Sequence, residues 1–331
     1  EFNMLQSQLP QDWSKGDKGW SGYLTPDEYP VVKNPKDGRL WTANARIVGG
    51  DLLKKVGVHN YALGARQKQI KDDLYKKQEF NAQDFLDIQL DDEAIFLNRW
   101  QQYMLALAKD HNYPEVHTVL TQWQGRASKT SAGYLLVKRF REHIVDQTIG
   151  RLYEKLDSGL EFFSPSSIDN FVEYPVWQLI NEKPTQHVPS GYKDWNEFLL
   201  ATLDETVRQL TENGGDLADQ TWGKANTLAI RHPLSKAIPM LGYFLDMPAE
   251  PVDGDTYMPR VQDPDTGASE RFAVAPGHEE EGFFHMATGQ SGHPLSPYYD
   301  AGHQDWVQGK LSSFLPGDTK WQLTLSAGVK P

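Results

Sequence analysis

Between Arg66 and Thr211 apolar residues recur at helical spacing, and on either side of that block they do not. Trp100, Tyr103, Met104 and Leu107 fall at i, i+3, i+4 and i+7, one face of a helix. Arg66–Gln78 is dense in helix formers, and Asn81-Ala-Gln-Asp84 places a capping residue ahead of Phe85, Ile88 and Leu90. Pro114 suits the first position of the next helix, with Val116, Val119, Leu120 and Trp123 facing inward. A long helix is expected from about Ser131 to Leu156, with Leu136, Phe140 and Ile144 along one side. Residues 157–190 read as loop with short helices. Asp194–Thr211 is helical again, stopped by Asn213-Gly214-Gly215.

The flanks have a different texture. Residues 1–65 are rich in Gly, Pro, Trp and Asp, with short strands expected around Arg39–Thr42 and Arg46–Val48. Past residue 216, Leu228 and Ile230, then Phe272 and Val274, alternate with polar or small neighbours. Asp263-Pro-Asp-Thr-Gly267 is a turn between those pairs, and Trp321, Leu323 and Leu325 read as a last strand. Strands, a helical block, then strands favour an α+β fold over a parallel βαβ sheet. The expected division is a strand-rich part over 1–65, a helical lobe over 66–215 and a second strand-rich part over 216–331, woven into one domain.

Several function classes drop out. The formal net charge is -12 and the basic residues are scattered, so the basic stripe that tracks phosphates is missing and no nucleic-acid partner is expected. With no cysteine there is no disulfide, thiolate metal site or Cys nucleophile. No run reaches the roughly 18 apolar residues of a membrane span. The opening Glu1-Phe2-Asn3-Met4 lacks signal-peptide character and reads as the edge of a fragment or of a processed chain.

The short motifs favour turns over chemistry. Gly289-Gln-Ser291-Gly292-His293 has His293 where the nucleophile elbow needs its second glycine. His278-Glu-Glu-Glu-Gly-Phe-Phe-His285 lacks the histidine four residues on that a zinc helix requires, and reads as a solvated acidic turn. Asp253-Gly-Asp255 and Asp263-Pro-Asp265 do not continue into a calcium loop. His111 and His117, six apart, share no helix face. Taken alone, Asn44 is a turn residue and Arg66 a surface charge at a helix start.

Several segments in order nevertheless resemble the penicillin acylase family of N-terminal-nucleophile hydrolases. They are Trp20-Ser-Gly-Tyr-Leu-Thr-Pro-Asp-Glu-Tyr-Pro30, Asn34-Pro-Lys-Asp-Gly38 leading to Ala43-Asn44, Gly64-Ala-Arg66, Trp123-Gln-Gly125, Arg231-His-Pro-Leu-Ser235, and Gly289-Gln-Ser-Gly-His-Pro-Leu-Ser-Pro-Tyr-Tyr-Asp300 with Trp306 soon after. Their spacing extends the resemblance over essentially all of residues 1–331. Ala45 and His293 depart from the family pattern, each standing where relatives have Asn.

The resemblance implies a four-layer αββα sandwich with a helical lobe, this chain being the C-terminal part of the catalytic subunit. It implies hydrolysis of a linear amide in a small N-acyl substrate by a serine acyl-enzyme. The attacking hydroxyl belongs to an N-terminal Ser freed by self-cleavage, whose α-amine, near pKa ~7.7–8, serves as base. Residue 1 here is Glu, so the nucleophile is expected on another segment or chain of the same precursor, alongside an alpha subunit. By the same resemblance Asn44 donates to the oxyanion and Arg66 orients the site. No cofactor is expected for catalysis. A structural calcium occurs in the family; Lys55 stands where some relatives have an acidic ligand, which leaves Asp51 as the nearby candidate. Location in the periplasm is implied too. The alternatives are an acyl-homoserine lactone acylase, or a non-catalytic relative serving as a binding or scaffold module.

Overall fold

The structure is a computed structural model that describes residues 12–17, 22–57, 61–151, 153 and 170–328. The longer elements, in chain order, are α1 (Gly50–Val56), α2 (Ala65–Leu74), α3 (Ala82–Gln89), α4 (Asn98–Asp110), α5 (Pro114–Gln122), α6 (Ala132–Val145), α7 (Glu173–Glu182), α8 (Trp195–Thr211), β1 (Glu270–Ala273), β2 (Phe283–Met286) and α9 (His303–Gln308). The fold is α+β with helix dominant. Its contacts gather into two compact units, one of residues 1–77, 91–227 and 251–261, the other of 78–90, 228–250 and 262–331. These boundaries differ from the division at 65 and 215, because each unit recruits segments that are distant in sequence.

The helical unit follows its periodicity. Trp100 and Met104 of α4, Val119 and Leu120 of α5, Tyr134, Leu136, Phe140 and Ile144 of α6, Val176 and Ile180 of α7, and Phe198, Leu199 and Leu203 of α8 form one buried cluster. Ser131 caps α6 by accepting from the Tyr134 amide, Asp194 caps α8 by accepting from that of Glu197, and Pro114 opens α5. After Val145 the backbone shifts into a π-helical turn over Asp146–Gly150. The expected helix end at Leu156, the loop 157–169, residue 1 and the Trp20 end of the family resemblance lie outside the described residues.

Two buried charge clusters tie this unit together. Glu173 of α7 accepts from Arg141 Nε of α6 at 2.8 Å, from the Trp100 indole of α4 at 2.9 Å, and from Arg99. Asp255, fully buried, accepts from the Tyr134 hydroxyl and pairs with Lys138 Nζ at 2.7 Å. Burial, reinforced by Asp255, raises the Tyr134 hydroxyl well above its ordinary value, so it stays a donor.

In the second unit α3 packs on β1, and β1 pairs antiparallel with β2 in the register Arg271↔His285 and Phe272↔Phe284. Asn81 caps α3 through a reciprocal capping box with Asp84. The inward face of β1 is not the apolar one. Arg271 is buried, donating to the Trp306 carbonyl at 2.8 Å and to Gln262 Oε1 at 3.0 Å, while Phe272 is 48% exposed.

Most of the other expected strands do not form. Arg39–Thr42 and Arg46–Val48 form no strand, and the nearby pairing is an isolated parallel bridge between Ala45 and Ala62. Leu228 and Ile230 lie outside any strand, and Trp321, Leu323 and Leu325 lie outside any strand and are exposed. Alternation prepares a segment to pair, but a strand exists only where another supplies hydrogen-bond partners.

Candidate active site

Asn44 occupies a left-handed backbone conformation, φ 61°, at a bend between the buried Ala43 and Ala45. Asn tolerates this region because its short side chain bonds locally. Asn34 and Asn112 adopt it at ordinary turns of the same chain, so the dihedral alone does not mark a site. What distinguishes Asn44 is its surroundings. Its carbonyl accepts from the Ala62 amide at 2.9 Å, and its side chain meets the start of α2.

α2 forms because seven of the ten residues in Ala65-Arg-Gln-Lys-Gln-Ile-Lys-Asp-Asp-Leu74 are strong helix formers. Its beginning carries no acidic residue in the first turn and no side-chain cap. Arg66 sits there although a cation at a helix N-terminus faces the positive end of the dipole. The guanidinium is half-buried, donating through Nη2 to Asn44 Oδ1 at 2.6 Å and to the Ala43 carbonyl at 3.2 Å. Among the described residues no carboxylate pairs with it. Burial lowers its pKa below the ordinary arginine value, yet a guanidinium remains charged.

An arginine has only donors, so the Asn44 atom it touches must be the oxygen. The carboxamide is thereby turned with Nδ2 away from the helix. That nitrogen has no acceptor among the described residues, and Asn44 is exposed. The pair presents two N–H donors backed by an uncompensated positive charge, suited to an oxygen that gains negative charge. A carboxamide and a guanidinium cannot by themselves supply a nucleophile.

The other candidates are dispersed. Asp51, in the first turn of α1, is exposed and pairs with Lys54 at 2.8 Å, which holds its carboxyl below the ordinary value. As one carboxylate it offers a small share of the six to eight oxygens calcium takes. His278, Glu280 and Glu281 come together, all exposed on a single turn, whereas His285 is buried on β2 against the Lys310 carbonyl. Gly289 N donates to the Tyr299 carbonyl at 3.0 Å, and a Cβ there would strike the Tyr298 backbone, so Gly289–His293 is a packed turn. Asp253 accepts from the Lys129 amide at 2.7 Å and Asp255 belongs to the buried Tyr134 cluster. A 520 Å³ cavity in the second unit, walled by Phe80, Phe85, Phe272 and Val274, is lined by neither Asn44 nor Arg66.

The sequence did not reveal Gln67, whose carboxamide spans the same turn from α2. It accepts from the Ala43 amide at 3.4 Å and donates to the Arg46 carbonyl at 3.4 Å. Its adjacency to Arg66 was the available signal, but a glutamine in a helical run carries no mark of what it reaches.

The penicillin amidase family profile matches residues 3–321. Among curated proteins, the chain is 24% identical over 317 residues to the penicillin acylase 2 proenzyme of Pseudomonas sp. (strain SE83), covering 90% of this chain and 39% of that protein. It is 22% identical over 351 residues to the acyl-homoserine lactone acylase QuiP of Pseudomonas aeruginosa, covering 92% and 41% respectively. QuiP of Pseudomonas fluorescens (strain Pf0-1) is likewise 22% identical, over 336 residues. The chain thus spans about two-fifths of the length of these relatives.

Proposed function

The chain belongs to the penicillin amidase family, and from that premise we propose that it forms part of an enzyme hydrolysing the amide bond of an N-acyl substrate. A serine on another stretch of polypeptide adds through its hydroxyl oxygen to the amide carbonyl, while its own α-amine takes the proton. Asn44 Nδ2 donates to the oxygen that becomes negative, and Arg66 holds the carboxamide in that orientation. Collapse expels the amine, which takes the proton, and water then frees the acid from the acyl-enzyme.

The observation that carries the reading is the Arg66–Asn44 bond of 2.6 Å, which leaves the amide hydrogens facing out beside a cation with no counter-ion among the described residues. An ordinary surface arginine would sit against a carboxylate or in open water. The nucleophile's position, the four-layer sandwich, the association with other processed chains and the periplasmic location belong to the same proposal. A structural calcium would need ligands beyond Asp51.

In the assembled enzyme Asn44→Ala should lower kcat on an acyl amide by about 10²–10³ with little change in KM, the usual cost of removing one oxyanion donor. Undiminished kcat would sink the assignment.

Similarity to the two QuiP acylases supports a second reading, a long-chain acyl-homoserine lactone as the amide cleaved. Turnover of phenylacetyl, glutaryl and long-chain acyl amides side by side separates the two. Intact masses of every chain in the active preparation address the non-catalytic alternative: finding no Ser-initiated partner would favour a binding module.

A further inference from the structure

Asn44 holds a left-handed φ that Asn adopts readily, so the backbone angle alone does not fix where its carboxamide points; its neighbours do. Three anchors surround it. The Ala62 amide takes its backbone carbonyl, and Arg66 takes Oδ1. The third is Gln67, whose oxygen accepts from the residue before Asn44 and whose nitrogen donates to the carbonyl two residues after it, both at 3.4 Å. Each of these bonds is long and weak alone, but together they bracket Asn44 from the side facing α2.

The same helix holds the approach to the turn at its other end. Arg39 donates through Nε to the Leu74 carbonyl at 2.7 Å and through Nη2 to the Lys77 carbonyl at 2.6 Å, capping α2 where a cation is favoured. Its guanidinium lies 5.0 Å from the centre of the Tyr75 ring, and Trp41 packs edge-on to that ring at 5.9 Å. The run from Arg39 to Arg46 is therefore splinted along α2, fixed at one end by Arg39 and at the other by Arg66 and Gln67.

We propose that Gln67 is a positioning residue, bracketing residues 43 and 46 so that the Asn44 carboxamide meets the developing oxyanion in a fixed orientation. The inference rests on the amide-hydrolysis reading. The neutrality of Gln67 fits the role: a glutamate here would suit the helix N-terminus, yet it would set a negative charge beside Arg66 and beside the oxygen gaining charge. A neutral carboxamide supplies both a donor and an acceptor without quenching that field.

The test is a double-mutant cycle in the assembled full-length enzyme, on whichever acyl amide it turns over fastest. Gln67→Met keeps the volume and removes both hydrogen bonds. It should lower kcat on the order of ten-fold at unchanged KM and melting temperature, as small misplacements of an active group do. In an Asn44→Ala background the same change should cost nothing, because there is no carboxamide left to misplace. Unchanged kcat in Gln67→Met, or a loss that multiplies with that of Asn44→Ala, overturns the proposal. If Asn44→Ala alone retains full activity, the site reading fails first and is identified as the failure by that single variant. Should Gln67→Met not assemble, Gln67→Glu keeps the acceptor for the Ala43 amide and lacks the donor to Arg46; wild-type kcat in that variant overturns the proposal. Independently of turnover, a crystal structure of either variant should show the Asn44 turn relaxed, and one with Asn44 unmoved on Arg66 rejects it.

Discussion

Asp73 lies on the buried side of α2, with Lys76 on Oδ1 at 2.6 Å and no donor on Oδ2. Burial raises its pKa above the ordinary 3.8, and the charge of neighbouring Asp91 pushes the same way, against the opposing pull of Lys76. The folded chain therefore holds this proton more tightly than the unfolded one. The stability so gained is complete below about pH 3.8 and is lost as pH rises through the folded-state value. Asp73→Asn, neutral at every pH, should melt at a higher temperature than wild type at pH 7, with the gap closing toward pH 4. A lower melting temperature at pH 7 would mean that the Lys76 pair outweighs the buried charge. Asn44 belongs to the same scale: its exposure and backbone angle match a simple turn, and only the direction of its carboxamide, set by Arg66, gives it a chemical meaning.

Among the elements, the helix starts were legible because their signals are local. Asn81 with Asp84, Pro114, Ser131 and Asp194 each satisfy or avoid amides within one turn of themselves, so spacing alone identifies them. Strands were less legible because their partners are remote. β1 forms, yet with Arg271 inside and Phe272 outside, since the buried guanidinium finds the Trp306 carbonyl and Gln262. One helical glycine reverses the usual rule. Ala normally improves a helix interior by up to ~1 kcal/mol over Gly. At Gly133 of α6 an added Cβ would overlap that of Trp123 and stand 3.0 Å from the Val119 carbonyl. Gly133→Ala should instead destabilise by about 1–3 kcal/mol, the cost of overpacking, measurable by denaturant unfolding. A stabilised variant would show that α5 and α6 can separate freely.

At the scale of the molecule, several large apolar side chains are left uncovered. Leu40, Ile47, Met240, Tyr243, Trp321, Leu323 and Leu325 are all more than 60% exposed, most of them in segments whose alternation prepares them for a sheet. Apolar side chains left this exposed in both compact units suggest surface that another layer covers. Residues 1–331 expressed alone should self-associate and bind a hydrophobic dye, and co-expression with the proposed partner chains should suppress both. A monodisperse, dye-silent chain would indicate that these segments have no missing cover. The sequence by itself determined the helices, their caps and the family signatures, because a helix closes its bonds within four residues and a motif is carried in its own order. Only the tertiary structure decided that Arg66 turns Asn44, 22 residues away, that Glu173 gathers Arg99 from 74 residues off, and that Gln67 reaches across to Ala43 and Arg46. Each of those contacts depends on where separate elements come to rest against one another, and no pattern along the chain encodes that directly.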